Sequence, residues 1–311
     1  METQKRKIKT AVVILNWNGK DWLEKFLPTV VQYSKDATII VADNGSTDDS
    51  ISFLSANFPT VSIVNNKENL GFAGGYNKAL NQIHAEYYVL LNSDVEVCEN
   101  WISPIINLMD SDKNIAACQP KLLDFNNRSK FEYAGASGGF IDNLGYPFCR
   151  GRIFGSLEED NGQYNDAVEV FWATGACIFV KAEAFWEVGG FDEEFFAHQE
   201  EIDLCWRLKN KGHKIMVEPS SVIYHVGGGT LDAGDMVITA NAATKVTFNG
   251  AVTLDSGGTG TGTLGIGADA IIYESQSTTK GGPMVLLGSM LAQDTNGSFR
   301  VVAIRFKYLY E

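Results

Sequence analysis

Three things are scarce in this chain of 311 residues, and each scarcity excludes something. Its cysteines, Cys98, Cys118, Cys149, Cys177 and Cys205, are odd in number and widely scattered, with no CxxC pair. That argues against a zinc site and a disulfide framework, and reduced thiols fit the cytoplasm. Long apolar runs are missing: no stretch reaches the length of a membrane span, and the N-terminus has no signal-peptide core. Positive charge is short as well. A formal net charge of −13 argues against a protein that grips nucleic-acid backbones, so no nucleic-acid partner is expected. The basic lead-in Lys5-Arg6-Lys7-Ile8-Lys9 fits a solvated approach to the first strand; contact with anionic lipid is its other reading. The expected location is the cytoplasm, with peripheral contact at the inner face of the membrane as the limit.

What is present has a pattern. Tyr87-Tyr88-Val89-Leu90-Leu91 is an apolar run that ends abruptly in Asn92-Ser93-Asp94. Such runs read as buried strands of a parallel sheet. Two earlier segments end alike: Thr10 to Leu15 enters Asn16-Trp17-Asn18-Gly19, and Thr38 to Ala42 enters Asp43-Asn44-Gly45-Ser46-Thr47-Asp48-Asp49. In open α/β sheets ligands bind beyond the carboxyl ends of the strands, so three polar tips predict one crevice.

Helical spacing follows the first strand through Trp22, Leu23, Phe26, Leu27, Val30 and Val31, and Pro28 predicts a kink or break there. The Ser-Thr-Asp-Asp cluster offers N-caps for a helix through Ile51 and Leu54. A third strand is expected over Val61 to Val64, and Gly71-Phe72-Ala73-Gly74-Gly75 opens a further helix. This βαβα alternation predicts a parallel sheet covered on both faces. Beyond it come a helix over Trp101 to Met109 and a short strand over Ile115 to Cys118. A long, partly irregular excursion runs from Asp124 to Asp166, of the kind that carries substrate specificity. Strands over Val168 to Trp172 and Ala176 to Val180 follow. The helix from Ala182 stops at Gly189-Gly190, and another starts near Glu200 and stops at Gly212. Val222-Ile223-Tyr224 reads as a final short strand into His225.

All six Trp, five Cys and four His precede Leu231. We therefore place a boundary there, dividing the chain into 1–231 and 232–311. The tail is rich in Gly, Thr, Ala, Val and Ser. Short strands over Val237 to Thr239, Lys245 to Phe248, Ala251 to Leu254, Ala270 to Tyr273 and Val301 to Tyr310 make it a small all-β module. Its Gly260-Thr261-Gly262-Thr263-Leu264-Gly265 matches GxGxxG, but no helix follows, which argues against a nucleotide site.

Five candidates carry chemistry. Asp94, at a strand tip, suits a divalent cation on a diphosphate; its plainer reading is a turn cap. Asp43 can accept from a pyrimidine imide N–H, or cap a turn. Gly71 to Gly75 permits close backbone approach, and a helix N-terminus attracts phosphate. Glu200-Glu201-Ile202-Asp203 places three carboxylates at a helix start, which suits a general base. Asp203 has Arg207 four residues on and fits an ion pair, whereas Glu201 has no cation three or four residues ahead. His225 can ligate a metal or be structural.

Taken in order, these segments resemble a family 2 glycosyltransferase of the GT-A fold, in the bacterial rhamnosyltransferase-like branch that builds surface polysaccharides. The resemblance runs over about residues 8–231. It is carried by Val13 to Gly19, Val41 to Asp48, Asn69 to Asn77, Leu91 to Asp94, Thr174 to Cys177, Gly189 to Asp192, Glu200 to Arg207 and His225 to Leu231. It implies an α/β, Rossmann-like, mixed and mostly parallel sheet with helices on both faces. It also implies an inverting transfer of a hexosyl or deoxyhexosyl group from a nucleotide-diphosphate donor to a hydroxyl of a saccharide or lipid-linked acceptor. By resemblance, Asp43 reads the base, and Asn16, Asn18, Gly71, Gly74, Gly75 and Asn92 line the donor site. Asp94 holds Mg2+ or Mn2+, His225 is a further metal or phosphate contact, and Glu201 is the base, with Asp203 its rival.

Two positions depart from the family pattern. Asn92 stands where many relatives have Asp, and Glu201 stands where the family often has the Asp of a Glu-Asp motif. The tail departs most: relatives usually continue into helices that shape the acceptor side, and a chain without them would bind donor and transfer poorly. It reads as a natural fusion or an artificial join. A nucleotidyltransferase is a neighbouring reading, but Asn16 to Lys20 is not its usual basic phosphate-gripping loop. The reading of a different class is an assembly protein, a homo-oligomer through its β tail whose first domain only binds nucleotide-sugar.

Overall fold

The structure, a computed structural model, describes residues 8–143, 145–153, 156–195, 199–227, 287–293 and 298–303. The chain divides into two compact units, Met1–Leu231 and Asp232–Glu311.

The first unit begins with the expected alternation: β1 (Ile8–Asn16), α1 (Lys20–Tyr33), β2 (Thr38–Asp43), α2 (Ser50–Asn57), β3 (Ser62–Asn65), α3 (Gly71–Leu80) and β4 (Ala85–Leu91). There follow β5 (Val95–Val97), α4 (Ser103–Ser111) and β6 (Ile115–Asp124). The excursion contains two small hairpins, β7 (Gly139–Ile141) with β8 (Pro147–Cys149), and β9 (Arg152–Ile153) with β10 (Ser156–Leu157). Then come β11 (Val168–Val170), β12 (Cys177–Lys181), α5 (Ala182–Glu187), α6 (Glu200–Asn210) and β13 (Lys214–His225).

One sheet runs in the order β11-β13-β6-β12-β4-β1-β2-β3, with β5 also paired to β13. Pairings among β3, β2, β1 and β4 are parallel, as is β6 with β13; β12 runs antiparallel to both β4 and β6. The period of two along the strands sorts the core into two layers. Ala11, Val13, Ile40, Ala42, Tyr88 and Leu90 pack with α3, α5 and α6 residues on one face. Val12, Ile14, Val41, Tyr87, Val89 and Leu91 pack with α1, α2 and α4 residues on the other. Chain order reverses at β1, which lies between β2 and β4, so the crevice expected at a topological switch point opens at the tips of these strands.

Several expectations need correction. Helix α1 runs through Pro28 without a break. Leu23, Phe26, Leu27 and Val30 are buried on both sides of the proline, and their packing outweighs the one lost backbone bond. Asp49 precedes α2 but makes no side-chain cap bond; Asp48 Oδ1 instead accepts from the Ser50 N–H at 3.0 Å. Strand β6 continues to Asp124, well past Cys118, because β13 pairs along its whole length. For the same reason Val222 to Tyr224 is not a separate short strand. It is the end of the twelve-residue β13, interrupted by a register shift between Glu218 and Val222.

The excursion is anchored rather than loose at its root. Lys121 on β6 is buried, with Nζ 2.8 Å from Asp160 and bonded also to Asn165. In the second unit the described residues form a hairpin, β14 (Leu287–Gln293) with β15 (Ser298–Ala303). Strand β15 overlaps only the start of the strand expected over Val301 to Tyr310. The other tail strands and the GxGxxG match lie outside the described residues. No helix among the described residues is long and apolar enough to cross a membrane.

Candidate active site

The tips of β1 and β2 are cross-linked. Asn16 and Asp43 are register partners, and Asn16 Nδ2 donates to Asp43 Oδ1 at 3.3 Å and to Ser46 Oγ at 3.1 Å. Asp43 Oδ2 accepts from the Ser46 N–H at 3.1 Å. Asn18 has a left-handed backbone (φ +49°), and its Oδ1 accepts from the Thr47 N–H at 2.7 Å. Gly19 lies close to this cluster: a Cβ there would stand 2.6 Å from Asn16 Oδ1 and displace that side chain. Between these residues Trp17 projects its ring, 54% exposed.

Asn44 joins this corner to the glycine segment. Its Nδ2 donates to Asn69 Oδ1 at 3.0 Å and to Gly71 O at 2.9 Å, and its Oδ1 accepts from Asn66 at 3.1 Å. Gly71 to Gly75 form the first turns of α3, buried except where Phe72 shows, with Gly71 at φ +71°. The backbones approach closely: a Cβ on Gly75 would meet Asn44 Nδ2 at 2.9 Å and Leu15 Cδ1 at 3.0 Å. The glycines thus bring the N-terminus of α3 against the β1–β2 corner, with the Gly71 N–H donating to Asn69 Oδ1 at 2.9 Å and the dipole of the helix favouring an anion nearby.

The β4 tip is tied to the start of β12 by the Asn92 N–H, which donates to Ala176 O at 3.0 Å. Two residues on, Asp94 is buried, and neither of its carboxylate oxygens has a hydrogen-bond partner among the described residues. His225, at the end of β13, places Nε2 3.3 Å from Asp94 Oδ1. On the far side of the ring, Nδ1 is 3.2 Å from Oε1 of Glu132, also buried. Burial opposes a charged imidazole here. The two flanking carboxylates outweigh it and push the His225 pKa up to about 10.

Asp94 and His225 have the chemistry of a cation site. Oδ1 of Asp94 faces the imidazole, and Oδ2 has no hydrogen-bond partner among the described residues, a cost that a cation ligated by this carboxylate would relieve. Adjacent ligands of an octahedral ion with bonds of about 2.1 Å stand about 3 Å apart, close to the 3.3 Å found. Among the described residues no three His, Cys, Asp or Glu side chains converge on a common point. Glu132 lies across the ring from Asp94, so two protein ligands are available and the other positions would fall to phosphate and water.

Helix α6 brings up the remaining carboxylates. It starts after Gln199, a non-glycine residue at φ +74°. Asp203 Oδ2 accepts from Arg207 Nε at 2.8 Å. Glu201 Oε2 is buried without a hydrogen-bond partner. Glu201 also faces the backbone of Gly175, where a Cβ would stand 3.7 Å from its carboxyl carbon. Burial pushes the Glu201 carboxyl up to about 7, against the pull of backbone amides at its own position and Gly175. Glu200 is raised well above the carboxylate range, by burial first and then by the charge of Glu201. A pair of this kind holds one proton near neutrality.

The structure therefore groups Asn16, Asn18 and Asp43, packs Gly71, Gly74 and Gly75 against them, and joins Asp94 to His225. Asn92 lies between, engaged through its backbone. Asp203 is neutralised within its own helix. Sequence reasoning assigned no role to Glu132, Ser46 or Asn44. Ser46 and Asn44 lie within a segment it singled out, but Glu132 sits in the irregular excursion, where no spacing marks it.

The family model for glycosyl transferase family 2 matches residues 11–189. The N-acetylglucosaminyl-diphospho-decaprenol L-rhamnosyltransferase of Mycobacterium tuberculosis is 26% identical over 239 residues, covering 69% of this chain and 75% of that protein. The low-salt glycan biosynthesis hexosyltransferase Agl10 of Haloferax volcanii is 22% identical over 209 residues, covering 66% and 63%. Among solved structures, GalNAc-T7 with UDP, GalNAc and Mn2+ superposes with a TM-score of 0.55 at 16% identity, over 71% of this chain and 44% of that one. The mannosyltransferase PcManGT of Pyrobaculum calidifontis, in complex with GDP-Man and Mn2+, gives 0.51 at 15%, over 71% and 58%. At these identities the superpositions establish a GT-A-like fold. The chain spans about half the length of the two solved proteins.

Proposed function

This chain belongs to glycosyl transferase family 2; it is a glycosyltransferase, and we propose that it transfers a hexosyl or deoxyhexosyl group with inversion. The donor is a nucleotide-diphosphate sugar. The acceptor is a hydroxyl of a saccharide or a lipid-linked saccharide in surface polysaccharide synthesis. What supports this reading is the Asn16–Asp43 pair at the tips of β1 and β2, the Asp94–His225 pair at the ends of β4 and β13, and the Glu201 carboxyl raised toward neutrality at the start of α6.

In this reading Asp43, held by Asn16 and Ser46, orients the nucleobase, and Asn18 shapes the ribose side. Gly71, Gly74 and Gly75 let the α3 N-terminus approach the donor, where the positive end of the helix dipole favours negative charge. Asn92 borders the sugar. Asp94 and His225 would hold Mg2+ or Mn2+, which when bound neutralises the charge that grows on the departing diphosphate. Glu201 takes the proton from the acceptor hydroxyl as that oxygen attacks the anomeric carbon. The C–O bond to the diphosphate breaks on the opposite face, and the leaving group departs with the electron pair. A carboxyl with a pKa near the working pH suits this step, and Glu201 meets that condition better than Asp203, whose charge Arg207 already compensates. Peripheral membrane contact is part of the proposal only where the acceptor is lipid-linked.

The test is turnover of a panel of nucleotide sugars with simple saccharide acceptors, followed by nucleotide release, with the anomeric configuration of the product read by NMR. A product inverted at the anomeric carbon is expected. A retained configuration would overturn single displacement, and no release from any donor would overturn the enzymatic reading.

A further inference from the structure

We infer that Glu132 is a positioning residue that decides which nitrogen of His225 is offered to a divalent cation; this rests on the reading that Asp94 and His225 hold that cation. An imidazole ligates through one nitrogen, and the other must then carry the proton and give it to an acceptor. The structure sets an acceptor on each side of the ring. Asp94 Oδ1 is 3.3 Å from Nε2, and Glu132 Oε1 is 3.2 Å from Nδ1. The second oxygen of Glu132 is taken by the Ala134 N–H, whereas the second oxygen of Asp94 has no hydrogen-bond partner among the described residues, so Asp94 is the side that can take a cation. Glu132 is left to hold the proton on Nδ1. Nδ1 is not aligned with Oε1 as a linear hydrogen bond, so at 3.2 Å the contact is one of charge and proximity.

The local structure fixes Glu132 for this task. Its backbone N–H donates to Leu122 O at 3.1 Å, which lays the residue along the end of β6, the parallel neighbour of β13. Its Oε2 accepts from the Ala134 N–H at 2.7 Å, which turns Oε1 toward the imidazole. A Cβ on Gly227 would stand 3.3 Å from Oε1, so the chain leaving β13 passes close by the carboxylate. Glu132 is itself buried, so its carboxylate is held against the imidazole and away from solvent.

Both oxygens are in use, and that makes Glu132→Gln informative. A glutamine has one acceptor oxygen for two donors. If it serves Ala134, its NH2 group faces Nδ1, makes that nitrogen an acceptor and places the proton on Nε2, where it blocks the cation.

The experiment is Mn2+ titration of the full chain, with free Mn2+ read by electron paramagnetic resonance, for wild type, Asp94→Asn, His225→Ala, Glu132→Gln and the double variant Glu132→Gln/His225→Ala. Wild type is expected to bind, Asp94→Asn to lose binding, and Glu132→Gln to bind 10- to 100-fold more weakly. In the His225→Ala background the Glu132 change should cost nothing further, which a merely structural role would not produce. Unchanged binding by Glu132→Gln, beside a loss in Asp94→Asn, would overturn the inference and leave the cation site standing. No binding by wild type would overturn both. Should Glu132→Gln fail to fold, 15N shifts of labelled histidine in Mg2+-loaded wild type decide instead. A proton on Nδ1 of His225 is expected, and a proton on Nε2 would overturn the inference.

Discussion

Asp203 is tied to Arg207 one turn further along α6, with Nε donating to Oδ2 at 2.8 Å, while Arg207 Nη1 donates to Val188 O at 2.7 Å and Gly190 O at 2.8 Å. The arginine thus clamps α6 to the turn after α5 and consumes the charge of Asp203. Two residues earlier, Glu201 keeps a buried oxygen without a hydrogen-bond partner among the described residues. The two carboxylates should therefore separate on mutation. Asp203→Asn is expected to cost about 2–3 kcal/mol of stability, as a broken charge-assisted bond, and to leave kcat within a few-fold. Glu201→Gln is expected to lower kcat by about 10²–10⁴ with donor affinity unchanged. Urea melts and steady-state kinetics on both variants check this; loss of transfer in Asp203→Asn alone would reassign the base.

Glu201 also predicts opposed pH dependences. Its activity as a base requires the ionised form, so kcat/KM should rise with pH through about 7 and level off above it. Stability runs the other way. The folded-state pKa lies above the unfolded value of about 4.3, so the native state binds more protons between those two values and unfolding becomes easier as pH rises across that window. Thermal melts from pH 4 to 8 should show a decline that is shallower in Glu201→Gln, the remainder coming from Glu200 and His225, whose pKa values are also raised.

Gly75 and Gly74 are adjacent but should respond differently to alanine. At Gly75 the new methyl meets Asn44, the side chain that bonds Asn69, Gly71 and Asn66, and has no free direction in which to move. Gly75→Ala is expected to cost at least about 2 kcal/mol and to weaken donor binding. At Gly74 the nearest contact is Leu70 Cβ at 3.1 Å, and the helix gains from alanine. Gly74→Ala should be near neutral in stability, as read by chemical denaturation.

Asp43 accepts from Asn16 on one oxygen and from Ser46 on the other. Asn at this position has a single acceptor oxygen, so one of these donors would face an NH2 group. Asp43→Asn is expected to weaken donor binding at least about tenfold without unfolding the chain; calorimetric titration with the preferred nucleotide checks it.

The sheet edge was legible because strand tips announce themselves: apolar runs from Thr10, Thr38 and Tyr87 each end in polar or carboxylate side chains, which are buried only where they find partners or a ligand. The distinction between Glu201 and Asp203 was half legible, since the i to i+4 spacing of Asp203 and Arg207 is visible in sequence but burial of Glu201 is not. Pro28 misled, because tertiary packing of α1 overrides a local breaker. The length of β13 was hidden by Glu218 to Ser221, a polar stretch that falls at a register shift. Glu132 was invisible, since its meaning comes from a fold that returns the excursion along β6 to the end of β13.

The central claim is a donor site at this edge completed by a cation on Asp94 and His225. Calorimetric titration of UDP, dTDP and GDP, with and without Mn2+, into wild type and Asp94→Asn tests it most directly. Binding of one nucleotide that depends on Mn2+ and disappears in Asp94→Asn is the predicted result. Equal binding with and without the metal, or binding that survives the Asp94 substitution, would contradict it.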